Sequence, residues 1–177
     1  PLALDGSLKR LKTDYIDLYQ FHWPNRGSYM FRKNWAYNPT AQDRARTLQN
    51  MEDCLGALQA EVDRGRIRAF GMSNESAWGL TQWANAAERT GGPRVATVQN
   101  EYSLWTRQAD LGLIQRCKTL GTAFVPFSPL ARGALGHTIL DPASLAAGEF
   151  RTQIPRFRPD NWPRNKARIE TFRAYAA

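Results

Sequence analysis

Cysteine is scarce in this chain, with only Cys54 and Cys117 among 177 residues. Neither lies in a Cys-x-x-Cys or near a histidine, so neither a zinc site nor a redox motif is supported. Both fall in helical patterns, and the expectation is free buried thiols in a reducing compartment, the cytoplasm. Long hydrophobic runs are missing too. No apolar stretch approaches the roughly 20 residues that a membrane span requires. Pro1-Leu-Ala-Leu-Asp5 has no basic region followed by an apolar one, as a signal peptide would. Metal and membrane roles are therefore not expected. An initiator methionine is also missing, so the chain reads as a piece of something longer. Finally, no Gly-x-Gly-x-x-Gly follows a predicted strand, which removes the fingerprint of a Rossmann-type dinucleotide site.

Positive charge, by contrast, is plentiful: 24 Lys and Arg against 16 Asp and Glu, a formal net charge of +8. The basic residues are interleaved with acids except in the tail, where Arg151, Arg156, Arg158, Arg164, Lys166, Arg168 and Arg173 outnumber Asp160 and Glu170. No zinc-finger spacing or RNA-binding aromatic motif accompanies them, so they read as a solvated surface and no nucleic-acid partner is expected. A 42% hydrophobic content, with six Trp, six Tyr and eight Phe, supplies one sizeable core and suggests a single domain over 1–177.

Ser7 to Leu11 is short and amphipathic, and a Thr-Asp step leads into Tyr15-Ile-Asp-Leu-Tyr-Gln-Phe21, rich in the aromatic and β-branched residues of a buried strand. The run ends on His22, and Trp23-Pro24 stop it. A long polar-aromatic stretch, Asn25 to Arg46, has neither helical nor strand period and reads as a functional or mobile loop. Its Tyr29, Phe31, Trp35 and Tyr37 either line a pocket or fold the loop onto the body.

Thr47 reads as a helix start, with Leu48, Met51, Leu55, Leu58 and Val62 as its apolar stripe and Gly65 as its terminator. Arg66 to Gly71 is a second strand, closed by Met72-Ser73-Asn74. Glu75 to Arg89 is helical, with Trp78, Leu80, Trp83 and Ala87 apolar, and Gly91-Gly92-Pro93 ends it. A third strand, Arg94 to Val98, stops at Gln99-Asn100. Ala109 to Leu120 is a helix with Leu111, Ile114 and Cys117 on one face, and Thr122 to Phe127 is a fourth strand. Strand starts after the long loop recur every roughly 28 residues, the length of a βα unit. Such units make a parallel sheet, either open and doubly wound or closed into a (β/α)₈ barrel, and the pattern does not choose between them.

The polar residues fall where such a sheet would use them. His22, Ser73-Asn74, Gln99 and Phe127-Ser128 each sit at or just past the C-terminal end of a predicted strand. In a parallel α/β fold those ends gather on one rim, the rim that carries chemistry in barrels. Each has a plainer explanation alone. Ser73-Asn74 could cap the next helix, Gln99-Asn100 could form a turn, and His22 could be a core residue satisfying a carbonyl. Four in register favour a site.

Four stretches then carry a resemblance. Ser7-Leu-Lys-Arg-Leu-Lys-Thr-Asp-Tyr-Ile-Asp-Leu-Tyr-Gln-Phe-His-Trp-Pro24, Gly65-Arg-Ile-Arg-Ala-Phe-Gly-Met-Ser-Asn-Glu75, Val98-Gln-Asn-Glu-Tyr-Ser-Leu104 and Pro126-Phe-Ser-Pro-Leu-Ala-Arg-Gly133 resemble words of the aldo-keto reductases, most of all their bacterial Tas-like branch. Pro155-Arg-Phe157 is a weaker match. The resemblance implies a (β/α)₈ TIM barrel, of which this chain supplies a central portion of about four strands. It implies NADP(H) as cofactor, bound without a Rossmann fold, and reduction of a small-molecule aldehyde or ketone by hydride transfer. By motif position His22 is the catalytic histidine, a neutral imidazole donating to the carbonyl oxygen. Ser73, Asn74 and Gln99 would hold the nicotinamide carboxamide, whose donor and acceptor an amide side chain can match. Phe127 stands where the family stacks an aromatic, usually Tyr, on the nicotinamide. Ser128, Pro129, Leu130, Ala131, Arg132 and Gly133 resemble the loop over the pyrophosphate, and Trp23 a wall of the substrate pocket.

The family's Asp, Tyr and Lys partners of that histidine belong to strands that would precede Pro1, and its 2′-phosphate grip to one that would follow Ala177. Residues 1–177 alone are accordingly expected to be inactive. A nucleotide-binding regulatory subunit resembling the potassium-channel β subunits is the alternative that the same resemblance carries.

Overall fold

The βα repeat is realised as four parallel strands in simple sequential order in a computed structural model that describes residues 2–27, 37–136 and 141–176. Helix α1 (Leu2–Leu11) leads into β1 (Ile16–Phe21), followed by α2 (Arg44–Asp63), β2 (Ile67–Ser73), α3 (Ala77–Thr90), β3 (Val95–Glu101), α4 (Leu113–Leu120), β4 (Ala123–Phe127) and α5 (Trp162–Ala176). The described residues divide into two compact units, one holding the sheet and α1–α4, the other made of 102–107 and the residues from 128 onward.

Strand order decides what periodicity left open. A doubly wound sheet reverses its order at a switch point and places helices on both faces. Here β1-β2-β3-β4 are neighbours in turn, and α2 packs on α3 and α3 on α4, so these helices share one face. That is the arrangement of a (β/α)₈ barrel, of which four strands are seen. Alternation along the strands follows from it. Phe21, Phe70 and Trp83 of α3 meet with ring centroids 5.9–6.2 Å apart on the helix-covered side. Gln20 donates to Thr97 Oγ1 at 3.1 Å on the other side. The two side chains meet across Gly71, where any Cβ would collide with Thr97 Oγ1.

The core of this unit is Met51, Leu55 and Leu58 of α2, Phe70 and Met72 of β2, Leu80 and Trp83 of α3, and Val98 of β3, all buried. Each such side chain contributes about 1.5–3 kcal/mol over its exposed state. At the junction of α2 and β2, the buried Glu61 receives Arg64 at 2.9 Å and Arg66 at 3.3 Å.

Several boundaries differ from the sequence expectation. Helix α2 begins at Arg44 rather than Thr47, because Asp43 Oδ1 accepts from Arg46 N at 3.0 Å and caps the first turn. The apolar stripe starts a turn later than the cap, which is why periodicity alone placed the start late. Residues 44–46 therefore leave the predicted loop. Its Tyr29, Phe31 and Trp35 lie outside the described residues. Strand β3 runs on through Glu101, since Gln99 pairs with Val125 and Glu101 with Phe127. Gln99-Asn100 is thus strand, not turn. Helix α4 starts at Leu113, not Ala109, because Gly112 adopts φ 106° and resets the phase. Leu111, expected on the buried face, is 85% exposed, while Leu113 and Cys117 point into the core.

The second unit has a small core of Ala131, Ala134, Ile154, Phe157 and Ile169, flanked by Trp105, Leu135 and Trp162. Apart from α5 it is built of short 3₁₀ turns at Ala131–Gly133, Pro142–Ser144, Phe150–Gln153 and Pro155–Phe157. Asn165 on α5 donates to Arg156 O at 2.9 Å, and Arg173 to Gly136 O at 2.6 Å.

Candidate active site

The rim is built from the strand ends of the first unit. His22, the first residue past β1, has an exposed ring that stacks on Trp23 at 4.5 Å and 7°. Ser73, at the end of β2, donates through Oγ to Gln99 O at 2.8 Å. Asn74 follows with φ 57°, a left-handed conformation that Asn tolerates better than most residues. That turn aims its Nδ2 at His22 O (2.8 Å) and Ser73 Oγ (3.1 Å), while its backbone N–H donates to Gln99 O at 3.0 Å. Ser73 and Asn74 therefore lash the ends of β1, β2 and β3 together. The helix cap considered for them belongs instead to Ser76, whose Oγ accepts from Gly79 N at 3.0 Å.

His22, Trp23 and Ser73 line one cleft of about 440 Å³, together with Phe21, Arg26, Met51, Cys54, Met72, Glu75 and Trp83. Asn74 and Gln99 join it only through the hydrogen bonds above. Phe127, half-buried, ends β4 opposite Glu101. The residues from Ser128 to Gly133 belong to the second unit. There Ser128 (φ 53°), Ala131 (φ 49°), Arg132 (φ 61°) and Gly133 (φ 94°) all hold left-handed backbone. Strain of this kind, about 1–3 kcal/mol for a non-glycine residue, clusters at functional sites. Ala131 is fully buried, Pro129 and Leu130 are exposed, and the Arg132 guanidinium lies 4.8 Å from the Phe150 ring centroid.

One cluster escaped the sequence reading. Glu75 is 2% exposed, and its carboxylate is gripped by both terminal nitrogens of Arg26, Nη1 donating to Oε2 at 3.1 Å and Nη2 to Oε1. Ser76 N donates to Oε1 at 2.6 Å. The Glu75 backbone is held by the Asn100 amide, which accepts from Glu75 N at 3.1 Å and donates to Glu75 O at 2.8 Å. The Arg26 guanidinium lies 5.2 Å from the Trp78 ring centroid, and Trp78, expected among the apolar positions of its helix, is 41% exposed. The signal was available: Glu75 closes the Gly-Met-Ser-Asn-Glu word, and an acid there needs a partner once buried.

Neither cysteine is poised to react. Burial pushes the Cys117 thiol up to about 11. Cys54, half-buried, is raised by burial and then by the Asp53 charge. Among the described residues no cluster of His, Cys, Asp and Glu could hold a metal, and no helix is long and apolar enough to cross a membrane.

Comparison with known proteins covers nearly the whole chain. The profile of the Aldo/keto reductase family matches residues 3–177. Protein tas of Escherichia coli (strain K12) is 39% identical over 158 residues, 88% of this chain and 43% of that protein. An aldo-keto reductase of Babesia bovis is 38% identical over 146 residues, 78% of this chain and 51% of its own. Among solved structures, a glycerol dehydrogenase from Gluconobacter oxydans superposes with a TM-score of 0.69 at 22% identity, covering 96% of this chain and 44% of that one. A thermostable aldo-keto reductase does so with a TM-score of 0.52 at 30% identity, covering 73% and 39%. The chain spans about half the length of the curated relatives it matches.

Proposed function

The chain belongs to the aldo/keto reductase family, and from that premise we propose that it is part of an NADP(H)-dependent reductase of small-molecule aldehydes and ketones. The observation that carries this reading is the lashing of His22, Ser73 and Gln99 onto three adjacent strand ends by the Ser73 and Asn74 hydrogen bonds. The donor set fits a nicotinamide. Gln99, half-buried on the face of the sheet away from the helices, offers an amide donor and acceptor to a carboxamide. Asn74 spends Nδ2 on His22 O and Ser73 Oγ, which leaves Oδ1 as the acceptor it can present. The Phe127 ring supplies a stacking face whether or not it carries a hydroxyl. In the second unit, Arg132 and the left-handed backbone around Gly133 suit a phosphate group.

A nicotinamide held by Ser73, Asn74, Gln99 and Phe127 would supply the hydride that reduces a carbonyl carbon. His22 donates a hydrogen bond from its neutral imidazole to the carbonyl oxygen, orienting it and stabilising the charge that grows there. Trp23, stacked on that ring and 54% exposed, walls the substrate side.

The test is NADPH oxidation by the full-length protein with an aromatic aldehyde such as nitrobenzaldehyde. His22→Ala should lower kcat by about 10²–10³-fold, the usual cost of one oxyanion donor, with NADPH affinity nearly unchanged. Lost cofactor binding with normal turnover of the bound complex would refute the role given to His22.

A further inference from the structure

The buried Arg26–Glu75 pair lies beside the rim, and nothing assigned above uses it. We propose that Arg26 and Glu75 are positioning residues for His22, clamping the segment after β1 so that Trp23 stays stacked against the imidazole. This rests on the reductase reading for its consequence, though not for its geometry.

Three independent features point the same way. Burial is the first: Glu75 and Arg26 side chains are 2% and 9% exposed, so the bidentate pair is a desolvated, directional contact rather than a loose surface bridge. Next comes the room made for it. Gly79, in the first turn of α3, has no side chain, and a Cβ there would overlap Glu75 Oε1 and Arg26 Nη2. Connectivity supplies the third. Asn100 fixes the Glu75 backbone to β3, and Asn74, one residue earlier, fixes His22 O. Arg26 lies four residues beyond His22, so the short segment 22–26 is tied at both ends to the Ser73-Asn74-Glu75 turn. Its interior holds Trp23 and the φ-restricted Pro24. A segment fixed at both ends has few ways to place the indole, and the observed one lies flat on the imidazole.

Two readouts test this in the full-length protein. Stacking on Trp23 shifts the His22 ring C–H resonances upfield, a signal identified by its loss in His22→Gln. In Arg26→Met that shift should collapse toward the free-histidine value, and kcat should fall by about a hundredfold, as an ångström of misplacement costs. NADPH affinity should stay within about threefold, since no proposed cofactor contact is touched. Gly79→Ala should do the same without altering either charge. Should Arg26→Met fail to fold, Arg26→Lys carries the test. It keeps the charges balanced but loses the fork, and about a tenfold loss of kcat is expected.

Variants that melt earlier but keep the His22 shift and wild-type kcat would overturn the proposal, leaving the pair a staple. A collapsed stack with unchanged kcat would overturn it too. If the wild type reduces no carbonyl yet Arg26→Met still collapses the shift, the reductase reading fails and the clamp stands.

Discussion

In the unit that carries the sheet, apolar side chains come from regular elements, so each strand and helix turns one predictable face inward. In the unit of 102–107 and the residues from 128 onward, the buried set of Ala131, Ala134, Ile154, Phe157 and Ile169 comes mostly from short 3₁₀ turns and a strained loop. The first unit buries a bidentate ion pair, Arg26–Glu75. In the second, Arg132 lies over Phe150, Arg173 donates to Gly136 O, and Arg151 pairs with Glu149. The difference teaches where each region is vulnerable. A repeat of βα units fails when its shared core is opened, whereas a turn-built unit fails when a single backbone conformation is lost.

Truncating the hubs should separate the two most strongly. Phe70→Ala should cost about 3–5 kcal/mol and expose β1–β4 amides to hydrogen exchange, leaving α5 protected. Phe157→Ala, of similar size, should do the reverse; exchange that spreads evenly in both variants would erase the distinction. Asn74→Ala should cost roughly 2–3 kcal/mol by denaturant titration, through two lost hydrogen bonds and an alanine forced into left-handed backbone. Asn74→Gly, which keeps the backbone and loses only the bonds, should cost about 1 kcal/mol.

Alkaline pH should weaken the sheet unit through Cys117. Cys117 titrates near 9.0 when unfolded and about 11 when folded, because burial disfavours its thiolate. Its folded value is the higher one, so the stability is intact below pH 9 and is lost as pH rises toward 11, on the order of 3 kcal/mol. Cys117→Ala should flatten that slope in a stability-against-pH series. Gly133→Ala should likewise cost only about 1 kcal/mol from φ 94°, detectable as a modest drop in the second unit's melting.

Much of the sheet was legible beforehand. Aromatic and β-branched runs marked β1, β2 and β4, and glycines marked helix ends, as Gly91 and Gly121 do with left-handed backbone. His22 and Ser73 do sit where strands end, whereas Gln99 was placed past a strand that runs on through Glu101. What escaped were features that depend on a partner far along the chain. Asp43 as a cap hid behind the later stripe of α2, Gly112 shifted the phase of α4 and exposed Leu111, and Gln99-Asn100 became strand only by pairing with β4. Arg26 and Glu75, 49 residues apart, showed no local signature of each other.

By itself, then, the sequence determined the alternation of elements, the rim on which polar residues gather and the family. Side-chain period and turn chemistry are local properties, and a local pattern records them. Tertiary structure alone decided that the strands run in sequential order under helices on one face, that Asn74 binds three strand ends together, and that a buried ion pair sits in the space left by Gly79. Those outcomes are set by desolvation and close packing between distant segments, whose energies exist only once the chain has folded.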